Sequence, residues 1–142
     1  MNHEAFESLY RVLGRDFSNA GKVSTSIKDT LKRLGINPAV VRRVAIVSYE
    51  AEMNIVMYAY RGTVLLKVTQ DEVTLQVEDE GPGIPDIELA MQEGFSTATP
   101  EMREMGFGAG MGLPNIKKNS DEFEIKSEVG RGTRLFIRIR QV

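Results

Sequence analysis

Glu50 and Asn54 stand four residues apart in the segment Glu50-Ala51-Glu52-Met53-Asn54. At roughly 100° per residue a helix places them on one face, a turn apart. A carboxylate and a neutral amide oxygen so placed offer two kinds of chemistry. The amide oxygen suits Mg²⁺, a hard ion that keeps most of its waters and takes substrate phosphates as well. The carboxylate can accept a proton from a nearby water or hydroxyl. The apolar residues Val44, Val47, Ala51, Ile55 and Tyr58 recur at helical spacing. Asn54 lies about 60° and Glu50 about 100° from the centre of that stripe, on the shoulder where the helix meets whatever lies beside the core. Glu52 falls on the opposite shoulder and is given no role. Spacing alone favours the plainer reading, a solvated glutamate and a core-edge amide.

Asp79 closes an alternating run in which Val73, Leu75 and Val77 point one way and Thr74, Gln76 and Glu78 the other. Continuing the two-residue period puts Asp79 on the core-facing row, where a carboxylate needs a hydrogen-bond donor. Gly81 and Gly83 follow and leave space in front of it. A ligand with an N–H donor fits such a place, and so does a plain turn capped by Asp79. Gly106, Gly108, Gly110 and Gly112 alternate ahead of Leu113-Pro114-Asn115. Alternating glycines let backbone N–H groups approach an anion, and the helix start beyond them adds positive character. A flexible hinge has the same composition. This is not a Walker loop, because no Gly-Lys-Ser/Thr follows. In Gly130-Arg131-Gly132-Thr133 the threonine begins a core-facing row continued by Leu135, Ile137 and Ile139. Asp79 and Thr133 therefore share an inner face, where together they could read one exocyclic amine; alone, Thr133 is more often an ordinary strand residue at a hairpin.

These positions need elements to hold them. Residues 4–13 fit either a helix or an edge strand. Ser18 or Asn19 is the expected cap of a helix running to about Leu34 and ended by Gly35, and Asn37-Pro38 starts the next, which runs to about Tyr60 and is closed by Gly62. Strands are expected over Thr63–Thr69 and Val73–Asp79, then a short helix over Pro85–Gln92. Residues 93–112 lose periodicity and read as a loop of about twenty residues, a length that is usually functional or disordered. A helix over Leu113–Asn119 and strands over Asp121–Glu128 and Thr133–Arg140 complete an α+β two-layer sandwich.

Composition sets the outer limits. The chain has 142 residues, 42% hydrophobic and 27% charged, as in an ordinary soluble domain. A net charge of −2 gives no general attraction to nucleic acid or anionic membrane. The absence of cysteine removes disulfides, thiolate catalysis and cysteine-ligated metals, and the single histidine, His3, lies at the N-terminus. No membrane span or signal peptide is expected, which points to a cytoplasmic protein.

The order ExxxN, DxGxG, glycine-rich loop, GxGT resembles the nucleotide-binding superfamily of gyrase, heat-shock chaperones, histidine kinases and MutL, over roughly Arg42 to Arg140. The segments Asn54-Ile55-Val56-Met57-Tyr58-Ala59, Glu93-Gly94-Phe95-Ser96-Thr97, Gly110-Met111-Gly112-Leu113-Pro114 and Asp121-Glu122-Phe123-Glu124-Ile125 are similar to the anti-sigma-factor and switch-protein serine kinases of bacterial partner-switching pathways. The resemblance implies a Bergerat-type fold spanning residues 1–142 as one domain, with a mixed sheet, helices on one face and a flexible ATP lid over about 93–112. It implies ATP and Mg²⁺ as ligands, and phosphorylation of a small antagonist protein. Asp79 would accept from the adenine amino group with help from Thr133, and Asn54 would hold Mg²⁺. Glu50 would be the general base. Gly81 and Gly83 would let the nucleotide approach. Gly108, Gly110 and Gly112 would line the phosphates, and Lys117 or Lys118 would add positive charge. The implied partner is an anti-sigma-antagonist-like protein, a sigma factor or a phosphatase, with homodimer formation left open. A complete histidine kinase is not expected, for want of a phosphoacceptor histidine and a helical-hairpin module. The methionines of the loop, Met102, Met105 and Met111, also suit a protein-contact surface. The alternative function is then a nucleotide-gated binding module that sequesters or activates a partner without phosphotransfer.

Overall fold

The computed structural model describes residues 5–93 and 112–141. Five strands, β1 (Phe6–Leu13), β2 (Arg61–Val68), β3 (Glu72–Glu80), β4 (Glu122–Glu128) and β5 (Gly132–Arg140), form one sheet in the order β1-β2-β3-β5-β4. The helices are α1 (Lys22–Arg33), α2 (Pro38–Tyr58), α3 (Ile87–Ala90) and α4 (Gly112–Lys118). The two-layer α+β architecture expected from the pattern is the one observed. One detail is corrected: the sheet is antiparallel at every described pairing rather than mixed. The short turns between β2 and β3 and between β4 and β5 can only return the chain antiparallel.

Alternation decides which face is covered. Val64, Leu66 and Val68 of β2, Val73, Leu75 and Val77 of β3, and Leu135, Ile137 and Ile139 of β5 form a buried inner field under the helices. The opposite row, including Leu65, Gln76 and Phe136, is more exposed. Residues 4–13 resolve as an edge strand. Tyr10 pairs with Val64 and Val12 with Gly62 on the inner side. Leu9 and Leu13, which made the helical alternative plausible, stand 54% and 62% exposed on the open side.

Helix α2 lies across the inner field. Asn37 caps it by accepting from the Ala39 N–H at 2.8 Å, with Pro38 in the first turn. Of the expected stripe, Val44, Val47, Ala51 and Ile55 are fully buried, whereas Tyr58 at the end of the helix is only half-buried. Met53, Val56 and Met57 are buried too, because α1 and α4 flank the helix. Gly62 does not close α2, which ends at Tyr58; it lies in β2 opposite Asp79, where a Cβ would come within 2.7 Å of Ile55 Cδ1.

Helix α1 closes as expected, with Gly35 at φ +75° and the Ile36 N–H bonded to the Leu31 carbonyl. Its start is different. Phe17–Asn19 form a separate 3₁₀ turn in which Asp16 accepts from the side chains of Ser18 and Asn19. Helix α1 begins after Gly21, and the donors of its first turn go to Glu52 of α2. No helix among the described residues is long and apolar enough to cross a membrane.

Candidate functional site

Glu50 and Asn54, both half-buried, share the shoulder of α2 that faces the start of α4. A Cβ on Gly112 would lie 3.3 Å from Asn54 Oδ1 and 3.8 Å from Glu50 Oε1, so the end of the glycine-rich segment rests directly on both side chains. Asn115, one turn into α4, donates from Nδ2 to Glu50 Oε2 at 2.8 Å. Helix α4 is held there by Arg43 of α2, whose Nε donates to the Asn119 carbonyl at 3.1 Å while its guanidinium pairs with Asp121 at 3.2 Å. The backbone N–H of Arg140 and then the Arg43 side chain hold the Asp121 carboxyl below the usual carboxylate range. The Asn54 carboxamide forms no hydrogen bond with another described residue, and its oxygen faces Gly112. Among the described residues no group of three histidine or acidic side chains is gathered for a metal. A metal here would take Asn54 Oδ1 from the protein and its other ligands from phosphate and water, the usual habit of Mg²⁺.

Asp79, the penultimate residue of β3, is half-buried, and its Oδ1 accepts from the Thr133 backbone N–H at 3.1 Å. Burial pushes its carboxyl above the ordinary value, and the Thr133 hydrogen bond partly offsets that. The other oxygen, Oδ2, receives no donor from a described residue. The sequence places Asp79 and Thr133 together, and they do meet, through the threonine backbone. The Thr133 hydroxyl lies 2.8 Å from Ser127 Oγ. Ser127, which the sequence reading passes over, also accepts from the Ile84 N–H at 2.7 Å and donates to the Gly132 carbonyl at 3.1 Å. With that proton spent, the shared one comes from Thr133, whose oxygen keeps acceptor capacity. The only sequence sign of Ser127 is its place opposite Thr133 in the terminal hairpin.

The glycines have packing reasons of their own. A Cβ on Gly81 would stand 3.0 Å from Ala59 Cα at the end of α2. Gly83 has φ +77° and a Cβ there would overlap the Glu128 carbonyl. Both let the turn after β3 lie against the end of α2 and the β4–β5 turn. Gly108 and Gly110 lie outside the described residues, as do Met102, Met105 and Met111. Lys117 is exposed, and Lys118 pairs with Glu93 at 2.5 Å, so its charge is shared across the two ends of the intervening segment.

A family model described as "Histidine kinase-, DNA gyrase B-, and HSP90-like ATPase" matches residues 39–142. The serine/threonine-protein kinase RsbT of Bacillus subtilis is 34% identical over 112 residues, which cover 76% of this chain and 78% of that protein. The anti-sigma F factor of Caldanaerobacter subterraneus subsp. tengcongensis is 37% identical over 89 residues, 59% of each chain. That of Geobacillus stearothermophilus is 37% identical over 95 residues, 63% of this chain and 62% of the factor. The match therefore spans less than two thirds of either anti-sigma factor.

Proposed function

Because this chain belongs to the histidine kinase-, DNA gyrase B- and HSP90-like ATPase family, we propose that it is an ATP- and Mg²⁺-dependent protein serine/threonine kinase acting in the cytoplasm on a small regulatory protein of the partner-switching kind. The supporting observation is the meeting of Glu50 and Asn54 with Gly112, which sets a base and a metal ligand against the end of the glycine-rich segment. The adenine amine donates to Oδ2 of Asp79, with Thr133 Oγ1 accepting beside it or through a water. Gly112 lines the phosphates. Asn54 would hold Mg²⁺ through its amide oxygen, and the ion would supply charge neutralisation at the phosphates.

A serine or threonine hydroxyl of the partner gives its proton to Glu50 as its oxygen bonds to the γ-phosphorus. The bond from that phosphorus to the β–γ bridging oxygen breaks, and the electron pair leaves with ADP. Glu50 releases its proton to solvent. Asn115 holds one carboxyl oxygen, which leaves the other, Oε1, turned toward Gly112.

Nucleotide binding is tested by titrating ATP into wild type and Asp79→Asn. The amide loses the charge and adds a competing donor, so affinity should fall by about 1–3 kcal/mol, roughly 5- to 150-fold. A pH series gives an independent check. The adenine amine favours ionised Asp79, so ATP binding lowers a carboxyl pKa that burial had raised. Affinity should therefore be full above the raised value and fall as pH drops through it. The Asp79→Asn variant should lack this component. Undiminished affinity in the variant would remove Asp79 from the adenine site.

Phosphotransfer is tested with radiolabelled ATP and candidate small antagonist proteins, with label expected on serine or threonine. The anti-sigma F factor relatives favour a second reading, a nucleotide-gated module that binds a regulator without chemistry. It predicts ATP binding and nucleotide-dependent partner affinity with no label transferred.

A further inference from the structure

A groove of about 790 Å³ runs over the outer side of the helical layer, between α1, α2 and α4. Lys28 and Lys32 of α1 and Arg42 of α2 line its sides, Ile46 and Tyr49 contribute to its apolar floor, and Glu50 is part of its wall. None of the three cations forms an ion pair with a described residue. The whole chain carries a net charge of −2, so this positive strip runs against the overall balance. Tyr49 is 41% exposed, an aromatic surface left open beside the charges.

Glu50 is what gives the groove its meaning. It lines the groove while its Oε1 faces Gly112, so one carboxyl group borders both the groove and the glycine-rich segment. From this placement we infer that the groove is the docking site for a short acidic segment of the partner protein, with carboxylates against Lys28, Lys32 and Arg42, an apolar side chain on Ile46 and Tyr49, and the acceptor hydroxyl delivered to Glu50. Naming the occupant as the phosphorylated partner rests on the kinase reading above. The groove's preference for an acidic segment does not.

The test uses the full chain, uniformly labelled with ¹⁵N, and a short synthetic peptide of glutamate, leucine and serine. A matching peptide with lysine in place of glutamate is the control. The acidic peptide should shift amide resonances of α1, α2 and α4, and the basic one should not. In the variant Lys28→Glu/Lys32→Glu/Arg42→Glu the acidic peptide should bind about tenfold more weakly or worse, because attraction becomes repulsion at three points. A circular dichroism spectrum and melting curve like those of wild type establish that the variant is folded, and the single variant Tyr49→Ala, expected to weaken the peptide a few-fold with no change in charge, supplies a second reading. Shifts confined to another surface, equal binding of both peptides, or undiminished binding to the folded triple variant would overturn the inference. A parallel ATP titration separates the two claims. Peptide binding at the groove with no ATP affinity overturns the kinase reading and leaves the groove standing; ATP affinity with no peptide binding does the reverse.

Discussion

Glu50→Gln is expected to lower the rate of phosphoryl transfer by about 10²- to 10⁴-fold, the usual contribution of a positioned general base. The substitution is nearly isosteric. Its amide oxygen can still accept from Asn115 Nδ2, so the contact at 2.8 Å that ties α2 to α4 has a replacement. On the proposed mechanism, what is lost is the ability to take a proton from the acceptor hydroxyl. ATP affinity should hold or rise slightly, since a negative group beside the phosphates is removed. The signature is therefore a fall in kcat with little change in KM for ATP, the pattern of an interaction made only in the transition state. Single-turnover transfer from radiolabelled ATP, with a parallel binding titration, measures both. Transfer at the wild-type rate would remove Glu50 from the chemistry. A loss of rate with a lowered melting temperature and weakened ATP binding would mean that the residue only supports the fold.

Much of the fold was legible because its strands are buried on one face. Val73, Leu75 and Val77 alternate with polar residues, and the same period in β2 and β5 gave those strands to within one or two residues. The first strand was ambiguous for a physical reason. An edge strand with one exposed face carries Leu9 and Leu13 to solvent, and Phe6, Leu9, Tyr10 and Leu13 also satisfy helical spacing. The cap of α1 could not be found locally. Asp16, Ser18 and Asn19 have the residue types of a cap, but they spend their hydrogen bonds on one another in a 3₁₀ turn.

The candidate site shows the same division. Intervals within one element survive folding: Glu50 and Asn54 share a helix face because four residues make about one turn. Asp79 meets Thr133 because their inner rows run along neighbouring strands. Partners supplied from other elements left no such trace. Asn115 reaches Glu50 only once α4 is packed on α2, and Ser127 reaches Ile84 only once the β4–β5 hairpin covers the turn after β3. Glu52 is the clearest case. Its angle on the helix was read correctly as opposite to Glu50, but an angle does not say that another helix begins there.

That position carries the second large expected effect. Glu52→Ala should destabilise the chain by about 3 kcal/mol, since it removes the acceptors of one buried and two part-buried backbone donors. Glu52 is 1% exposed. Its Oε2 accepts from the N–H groups of Gly21 at 3.0 Å and Val23 at 3.3 Å, and its Oε1 from that of Ser24 at 2.9 Å. These are donors at the start of α1, which Gly21 cannot cap with a side chain of its own. A carboxyl at this end also opposes the positive pole of the helix. For a chain of this size the loss corresponds to a fall in melting temperature on the order of 10 °C. Glu52→Gln should be the milder variant, since it keeps one acceptor oxygen and turns an amide donor toward a donor. Hydrogen exchange separates a local anchor from a general core residue. In Glu52→Ala the amides of α1 should exchange faster well before those of β2, β3 and β5, because α1 loses its hold on α2 while the inner field of the sheet keeps its packing. Uniform acceleration across the sheet would mean that Glu52 supports the whole core, and an unchanged melting temperature would mean that the first turn of α1 finds water instead. The outcome also bears on the groove, since the lysines of its outer wall stand on the helix that Glu52 ties down.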